Sequence, residues 1–383
     1  MHCFLIASVL ATAGWAQQPN ALLWGGIRPG PYTIGYKSYF VLDDGRRYGP
    51  DRGPRPVLVA LWYPAEGATA RALQYRQYLT SPLLARYPRF SPRLEAFLLE
   101  TVSNDLFRKR RADLNPNESA FLEEILSKSS LAGSDATPAK GPFPILLYHS
   151  GAAGSFEDNS VLCEYLASCG YVVMTSAFPS SDGQHVSNNY GVPKTSWDDL
   201  GFLLAHALKQ LGFVDRLKVG AFGHSIGAQY LVEWLGQRRT PLRALVMLDS
   251  TLEYTADDDA GHRPLRKRLS LLRPSRLPVL VAASADASPN FSTWNRYLPC
   301  RADASIRYFR HNDYLLHGSL ACTFSGEQMT EVRRNYDRLA QTVRAFFDAH
   351  LRRSPADWRQ LLGESNDEFQ VVDHTFLPAN PDR

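Results

Sequence analysis

The feature that most constrains the fold of this chain is a repeated alternation of short apolar strands with amphipathic helices. Beyond residue 140, strands are predicted at residues 144–148, 171–175, 217–222, 244–248, 278–283 and 305–309. Helices are predicted at residues 156–168, 195–211, 226–235 and 327–351. Strands that are apolar throughout are typical of a parallel sheet covered on both faces. We therefore predict an α/β fold with a mostly parallel central sheet and helices on both faces.

The rest of the chain divides around this alternating region. Two further strands are predicted at residues 33–42 and 56–63. Residues 71–140 then have a charged, helical pattern, which predicts a helical insertion or lid. Residues 354–383 are polar and predict a C-terminal tail. We expect a single domain at residues 17–353, interrupted by the insertion.

Composition and charge exclude several classes of protein. The chain has 383 residues, of which 44% are hydrophobic and 21% charged, as in ordinary globular proteins. Its 42 Lys and Arg residues against 38 Asp and Glu give a formal net charge of +4. The longest basic run, residues 108–111, has no interleaved aromatic residues, so we expect a solvated helical face and no nucleic-acid partner.

The N-terminus has the pattern of a targeting segment. Residues 3–16 are apolar and uncharged, and they end in Gly14-Trp15-Ala16, a small-x-small sequence that signal peptidase accepts. We predict a cleaved signal peptide at residues 1–16 and a secreted or periplasmic protein; the alternative is a buried N-terminal strand or helix. Since no later apolar run approaches eighteen residues, no stable membrane anchor is expected.

Export would change how the cysteines are interpreted. Without the signal peptide, Cys163, Cys169, Cys300 and Cys322 remain, an even number for an oxidising compartment. Two alternatives stay open: a disulfide between Cys300 and Cys322, or four free buried thiols. The spacing of Cys and His residues does not resemble a zinc site, and no metal or cofactor is expected.

The strongest chemical signal is at residues 223–227, which read Gly-His-Ser-Ile-Gly. This G-x-S-x-G follows an apolar strand and opens a helix, the context that a nucleophile elbow requires. The helix N-terminus favours negative charge that develops at the serine. We therefore predict Ser225 as a catalytic nucleophile.

A serine nucleophile also needs donors that stabilise the oxyanion. One donor is expected to be the backbone N–H of Ile226, the residue after the nucleophile. The second is expected from residues 149–154 (HSGAAG), which follow the strand at 144–148 and are small enough to approach the site. Ala152 is our candidate, with Gly151 or Ala153 as alternatives.

With these features the chain resembles the α/β-hydrolases related to platelet-activating-factor acetylhydrolase and dienelactone hydrolase. The resemblance extends from residue 31 to about residue 351. Its marks besides the elbow are residues 55–59 (RPVLV), 61–65 (LWYPA), 165–173 (YLASCGYVV) and 197–200 (WDDL). The chain departs from the family at Ala228, where a second glycine is common, and in residues 71–140. The resemblance implies the α/β-hydrolase fold.

The partners of Ser225 are implied by the same resemblance, with alternatives. Asp249 ends the strand after the elbow, where the acetylhydrolase-like family has its acid; Asp286 follows the next strand, where most α/β-hydrolases have theirs. His311 begins His-Asn-Asp-Tyr, which resembles the family's His-x-Asp-Phe, and His317 begins a second variant of the loop. Asp249 and His311 are preferred, with Asp286 and His317 as alternatives.

These residues together predict a secreted serine hydrolase that cleaves carboxylic esters through a Ser-His-Asp triad and an acyl-enzyme. The expected partner is a small-molecule or lipid ester, with short-chain or phospholipid-like acyl groups. One alternative is an acyltransferase or amidase that uses the same residues. The other is a non-catalytic binding protein on a hydrolase scaffold.

Overall fold

The structure is a computed structural model that describes residues 20–67, 71–80, 91–187, 193–237, 240–254, 275–295, 297–326 and 329–374. The predicted signal peptide and the last nine residues of the predicted tail lie outside these ranges. Within the described ranges, no helix is both long enough and apolar enough to cross a membrane.

Eleven described strands form one sheet, in the order β11-β10-β9-β8-β7-β5-β6-β2-β1-β4-β3. The strands are β1 (Thr33–Tyr48), β2 (Gly53–Ala65), β3 (Ala72–Gln74), β4 (Ser129–Ser134), β5 (Phe143–His149), β6 (Val172–Thr175), β7 (Val214–His224), β8 (Leu242–Leu248), β9 (Val279–Ser284), β10 (Arg301–Ile306) and β11 (Phe369–Asp373). The six strands from β6 to β10 in this order pair in parallel, and β2 and β11 pair antiparallel at their two sides. The carboxyl ends of the parallel strands therefore meet along one edge.

Helices cover both faces of this sheet, and each face has its own apolar core. The described helices are α1 (Ala21–Trp24), α2 (Arg76–Leu79), α3 (Ser91–Phe107), α4 (Pro116–Ser127), α5 (Ser160–Ser168), α6 (Pro193–Gln210), α7 (Ile226–Gln237), α8 (Leu316–Ser325), α9 (Met329–Leu351) and α10 (Ala356–Gly363). Helices α5 and α9 pack in one core, and α6 and α7 in the other. The predicted α/β-hydrolase fold, with its mostly parallel sheet, is confirmed.

The predicted tail is partly wrong, because residues 356–373 belong to the fold. Helix α10 buries Trp358, whose indole N–H donates to the Asp373 carboxylate at 2.6 Å. Strand β11 buries Phe369 and pairs with β10 over five residues. Leu361 and Val371 are buried in the same core, so four apolar side chains hold this otherwise polar segment against the sheet.

The insertion at residues 71–140 is only partly helical. It contains α3 and α4, but also β3 and β4, and β4 pairs in parallel with β1. Helix α4 begins with a capping box between Asn115 and Glu118, which satisfies backbone donors of its first turn. The insertion thus extends the sheet at one end, and α3 lies over the edge where the parallel strands finish.

One strand begins earlier than the sequence predicts. The last parallel strand is β10 at Arg301–Ile306, four residues before the predicted 305–309. It begins with a buried ion pair, Arg301 to Asp303 at 2.7 Å, and in the sequence these two charges are more typical of a loop than of a buried strand.

Of the two alternatives for the cysteines, the structure has the four free thiols, and Cys322 lies 3.2 Å from the Arg310 guanidinium.

Candidate active site

The turn between β7 and α7 holds Ser225 in a left-handed conformation, with φ of 54°. Its backbone N–H donates to the Leu248 carbonyl at 2.9 Å, which ties the turn to the next strand. A Cβ at Gly227 would lie 2.4 Å from the carbonyl oxygens of both His149 and Ser150, so only glycine fits there. The glycine of the motif thus allows helix α7 to begin close against β5.

A continuous hydrogen-bonded chain connects Ser225, His311 and Asp249. The Ser225 Oγ lies 3.0 Å from His311 Nε2, and His311 Nδ1 lies 2.5 Å from Asp249 Oδ2. Ser225 follows β7, Asp249 follows β8, and His311 lies in a 3-10 turn beyond β10. The three residues meet because parallel strands end at the same edge of the sheet.

The Asp249 carboxylate is held from its other side by Tyr254. The side chain of Asp249 is 3% exposed, and its Oδ1 accepts a hydrogen bond from the Tyr254 hydroxyl. The same hydroxyl oxygen accepts from the Ser284 N–H at 2.5 Å. Burial and the charge of Asp249 raise the pKa of Tyr254, so its phenol stays protonated and remains a donor. Asp249 therefore has a fixed orientation toward His311.

His224, the residue directly before Ser225 in the motif, positions the backbone of His311. The His224 Nε2–H donates to the His311 carbonyl oxygen at 2.8 Å, and the two rings lie 4.6 Å apart. Burial, and then the neighbouring His311, lower the pKa of His224 well below its ordinary value. A neutral His224 thus steadies the loop without adding charge beside His311.

The loop at residues 151–154 passes directly beside the serine. A Cβ at Gly151 would lie 3.3 Å from Ser225 Cβ, and Ala152 lines the same cavity as Ser225. Ile226 is the first residue of α7. The structure therefore places both candidate oxyanion donors next to Ser225.

The alternative acid and the alternative histidine lie elsewhere. Asp286 Oδ2 accepts from the Tyr308 N–H at 2.6 Å, in the turn after β9. His317 is fully buried, with Nδ1 2.8 Å from Asp105 Oδ2 and Nε2 2.6 Å from the Tyr75 hydroxyl. His317 thus belongs to a second His–Asp pair, whose aspartate comes from the insertion.

The second pair lies among buried acids. Burial alone lowers the pKa of His317, but the hydrogen bond and charge of Asp105, with Glu157 and Asp158, raise it above its ordinary value. Burial raises the pKa of Glu157 to about 7 and that of Asp158 well above its usual range. Asp158 accepts a 2.5 Å hydrogen bond from Tyr148. Sequence reasoning did not find Asp105, because a single aspartate on a charged helix gives no local signal.

Ser225 lines a cavity of about 370 Å³, and residues of the insertion line it as well. The cavity is within the size range of small-molecule sites. One wall comes from the loop at 151–154, with Ser225, His224 and His311. The opposite wall is one face of α3 and the residue after it: Phe97, Glu100, Thr101, Asn104, Asp105 and Arg108. The insertion therefore forms part of the cavity that contains Ser225.

No known family model matches this chain, and no curated protein matches it. Among solved structures, it is similar to a ferulic acid esterase from Streptomyces cinnamoneus, with a TM-score of 0.60 and 18% sequence identity. The match covers 90% of this chain and 98% of the esterase chain. The likeness therefore extends over nearly the whole of both folds.

Proposed function

We propose that this protein hydrolyses carboxylic esters, with Ser225 as nucleophile, His311 as general base and acid, and Asp249 as the group that orients the imidazole. The observation that carries the proposal is the continuous hydrogen-bonded chain from Ser225 Oγ through both nitrogens of His311 to Asp249. The chain lies at the open cavity, where a substrate has access to Oγ.

In the first half of the reaction, His311 Nε2 takes the proton of Ser225 Oγ while Oγ attacks the ester carbonyl carbon. The imidazolium that forms is stabilised by Asp249, which stays ionised. The tetrahedral intermediate then collapses: the bond from carbon to the alcohol oxygen breaks, and the leaving alcohol takes the proton from His311 Nε2. The product of this half is an acyl-enzyme on Ser225.

In the second half, water replaces the alcohol. His311 Nε2 takes a proton from the attacking water, whose oxygen forms the second tetrahedral intermediate. The bond to Ser225 Oγ breaks, Oγ recovers the proton, and the free acid leaves. The His311 side chain is 41% exposed, so water reaches it from the cavity.

The oxyanion of both intermediates is assigned to the backbone N–H groups of Ile226 and Ala152. Donors aimed at the developing charge are usually the largest single contribution to such catalysis. The position of Ile226 at the start of α7 adds the favourable end of the helix dipole. Gly151 and Ala153 are the alternative second donors in the same loop.

The similar solved structure supports this class of reaction, since that protein is described as a ferulic acid esterase. For the present chain we propose short-chain or phospholipid-like acyl esters as substrates. Export through residues 1–16 belongs to the same proposal.

The test is covalent labelling. Purified protein is treated with a fluorophosphonate probe, and the adduct is located by peptide mass spectrometry alongside turnover of p-nitrophenyl acetate. We expect an adduct on Ser225 that Ser225→Ala abolishes and that Ser292→Ala, a change at an exposed serine, leaves in place. Added alcohol or an anilide substrate separates hydrolysis from acyl transfer and amide cleavage. Folded protein with no adduct and no ester turnover would overturn the proposal.

A further inference from the structure

A second cavity, of about 390 Å³, adjoins the one that contains Ser225. We call the cavity at Ser225 the catalytic chamber and its neighbour the side chamber. The side chamber is lined by Arg93, Ala96, Phe97, Ala153, and residues 184–187. Phe97 and Ala153 line both chambers, so the two cavities adjoin at these residues.

Helix α3 presents one continuous face along the two chambers. The positions that line them between 93 and 108 follow the i, i+3, i+4, i+7 pattern of a single helical stripe. At 1.5 Å per residue, this stripe is about 22 Å long. The two chambers therefore lie side by side along one face of α3, and Ser225 lines only the catalytic chamber.

The two chambers differ in chemistry. The catalytic chamber has carboxyl, amide and imidazole groups on its walls, including Asp105, Asp158 and Asn312. In the side chamber, Arg93 is already engaged, because its guanidinium donates to the carbonyl oxygens of residues 183 and 184 at 2.8 and 2.6 Å. The Ser187 hydroxyl likewise donates to the Gly154 carbonyl. With these polar groups satisfied, the lining offers mainly apolar surface.

The same hydrogen bonds connect the walls of the side chamber to the loop at residues 151–154. Arg93 connects α3 to residues 183 and 184, and Ser187 connects that segment to the loop at 151–154. That loop passes beside Ser225 and carries the candidate oxyanion donor Ala152. Ala153, in the same loop, lines the side chamber as well as the catalytic chamber.

We propose that the side chamber is the subsite for an apolar chain of the ester, which leaves the catalytic chamber between Phe97 and Ala153. The inference rests on the proposed function, and it adds the substrate class: esters with an extended apolar group on one side of the scissile carbonyl. Ala153 and Phe97 bound the passage and thus act on specificity.

The test uses substitutions at an exposed residue that would fill the side chamber. Ala96 lines the side chamber but not the catalytic chamber, and it is exposed. Ala96→Leu and Ala96→Trp therefore fill the side chamber without disturbing the core. Glu95→Trp is the matched control, because residue 95 is on the same helix and lines neither chamber. Two substrate series are used: p-nitrophenyl esters from acetate to decanoate, which lengthen the acyl group, and alkyl acetates from ethyl to decyl, which lengthen the alcohol.

We expect Ala96→Trp to lower the ratio of long-chain to short-chain kcat/KM by at least about tenfold in one series, since each displaced methylene group is worth roughly fourfold. Ala96→Leu gives a smaller decrease, and Glu95→Trp leaves the ratio at the wild-type value. The responding series shows whether the chamber takes the acyl or the alcohol part. Ratios within twofold of wild type in both series would overturn the proposal.

A binding measurement separates this result from the fate of the proposed function. In the Ser225→Ala background, the Kd of p-nitrophenyl decanoate and of decyl acetate is measured by calorimetry with and without Ala96→Trp. An increase of about tenfold in one Kd supports the side chamber even if no ester is turned over. An unchanged Kd for both ligands contradicts it even if Ser225 is labelled and active.

Discussion

Two histidine–aspartate pairs lie near the same cavity: His311 with Asp249, and His317 with Asp105. Their histidines are only six residues apart in the sequence, but the pairs differ in burial and in their third partner. The His311 to Asp249 contact is 2.5 Å and the His317 to Asp105 contact 2.8 Å. The side chain of His311 is 41% exposed, whereas that of His317 is fully buried. The third partner is a serine hydroxyl for the first and a tyrosine hydroxyl for the second.

The difference shows why contact with an aspartate does not identify a catalytic base. A general base must reach the reacting group and exchange its proton with substrate and water. His311 has that access at Ser225, and its backbone is held by His224. The His317 side chain is fully buried and has no such access, so its contacts instead connect residues of the insertion to helix α8.

The largest expected effect separates the two histidines by activity. His311→Ala should lower kcat for p-nitrophenyl acetate by about 10⁴-fold or more, because the members of the proposed triad would act as a unit. His317→Ala should keep kcat within about tenfold of wild type in the protein that remains folded. Steady-state kinetics checks both, with circular dichroism as the control for folding. Equal losses of kcat at the two positions would contradict the different roles given to the two histidines.

The two candidate acids give the next largest contrast. Asp249→Asn should lower kcat by about 10⁴-fold, because the amide no longer holds the imidazole in the productive tautomer or stabilises its cation. Asp286→Asn is the matched change at the other candidate, where the carboxylate accepts only a backbone N–H in the contacts described above. We expect less than a tenfold change there, and a reversed order would contradict the assignment.

Stability should follow the opposite order from activity. His317→Ala removes both contacts of a fully buried ring, so the free energy of unfolding should fall by about 3–5 kcal/mol. Because the pKa of His317 is raised in the fold, its contribution is complete below the unfolded value of about 6.5 and is lost as the pH rises through the folded value. Urea unfolding from about pH 5.5 to 9 should therefore show the deficit of the variant narrowing. A deficit that widens would contradict this sign.

The smallest effect concerns the acids around His317. Burial raises the pKa of Glu157 from 4.5 to about 7, so the folded state binds a proton that the unfolded state releases, and stability should fall as the pH rises across this interval. Glu157→Gln cannot ionise and should reduce that fall by up to about 3 kcal/mol. Urea unfolding at several pH values measures it, with Glu364→Gln at an exposed acid as the control. Parallel profiles for Glu157→Gln and wild type would refute the expectation.

The parts of the molecule that were predictable from sequence are those specified locally. The apolar strands before and after the elbow, and the glycines around Ser225, predict the strand–turn–helix unit and the parallel sheet from short windows. By contrast, β10 contains Arg301 and Asp303, which are acceptable in a buried strand because they pair with each other and with Asn295 and His374. No property of either residue taken alone indicates that pairing.

The features that the sequence did not predict depend on contacts between distant parts of the chain. Asp105 and His317 are separated by 212 residues, and neither belongs to a motif. Helix α8, which carries His317, was missed because its first turn follows directly on the turn of His311. The choice among His311, His317, Asp249 and Asp286 was open for the same reason: each lies in a plausible loop, and only packing decides which side chains meet.

The strand-end origin of Ser225, Asp249 and His311 also has a consequence for folding kinetics. These residues are 24 to 86 positions apart along the chain, and they meet only when β7, β8 and β10 have joined one sheet with β9 between them. Such non-local parallel pairings form slowly, whereas the β1–β2 hairpin closes between sequence neighbours. In a refolding experiment, ester turnover is therefore a late signal that should return after most of the secondary structure seen by circular dichroism.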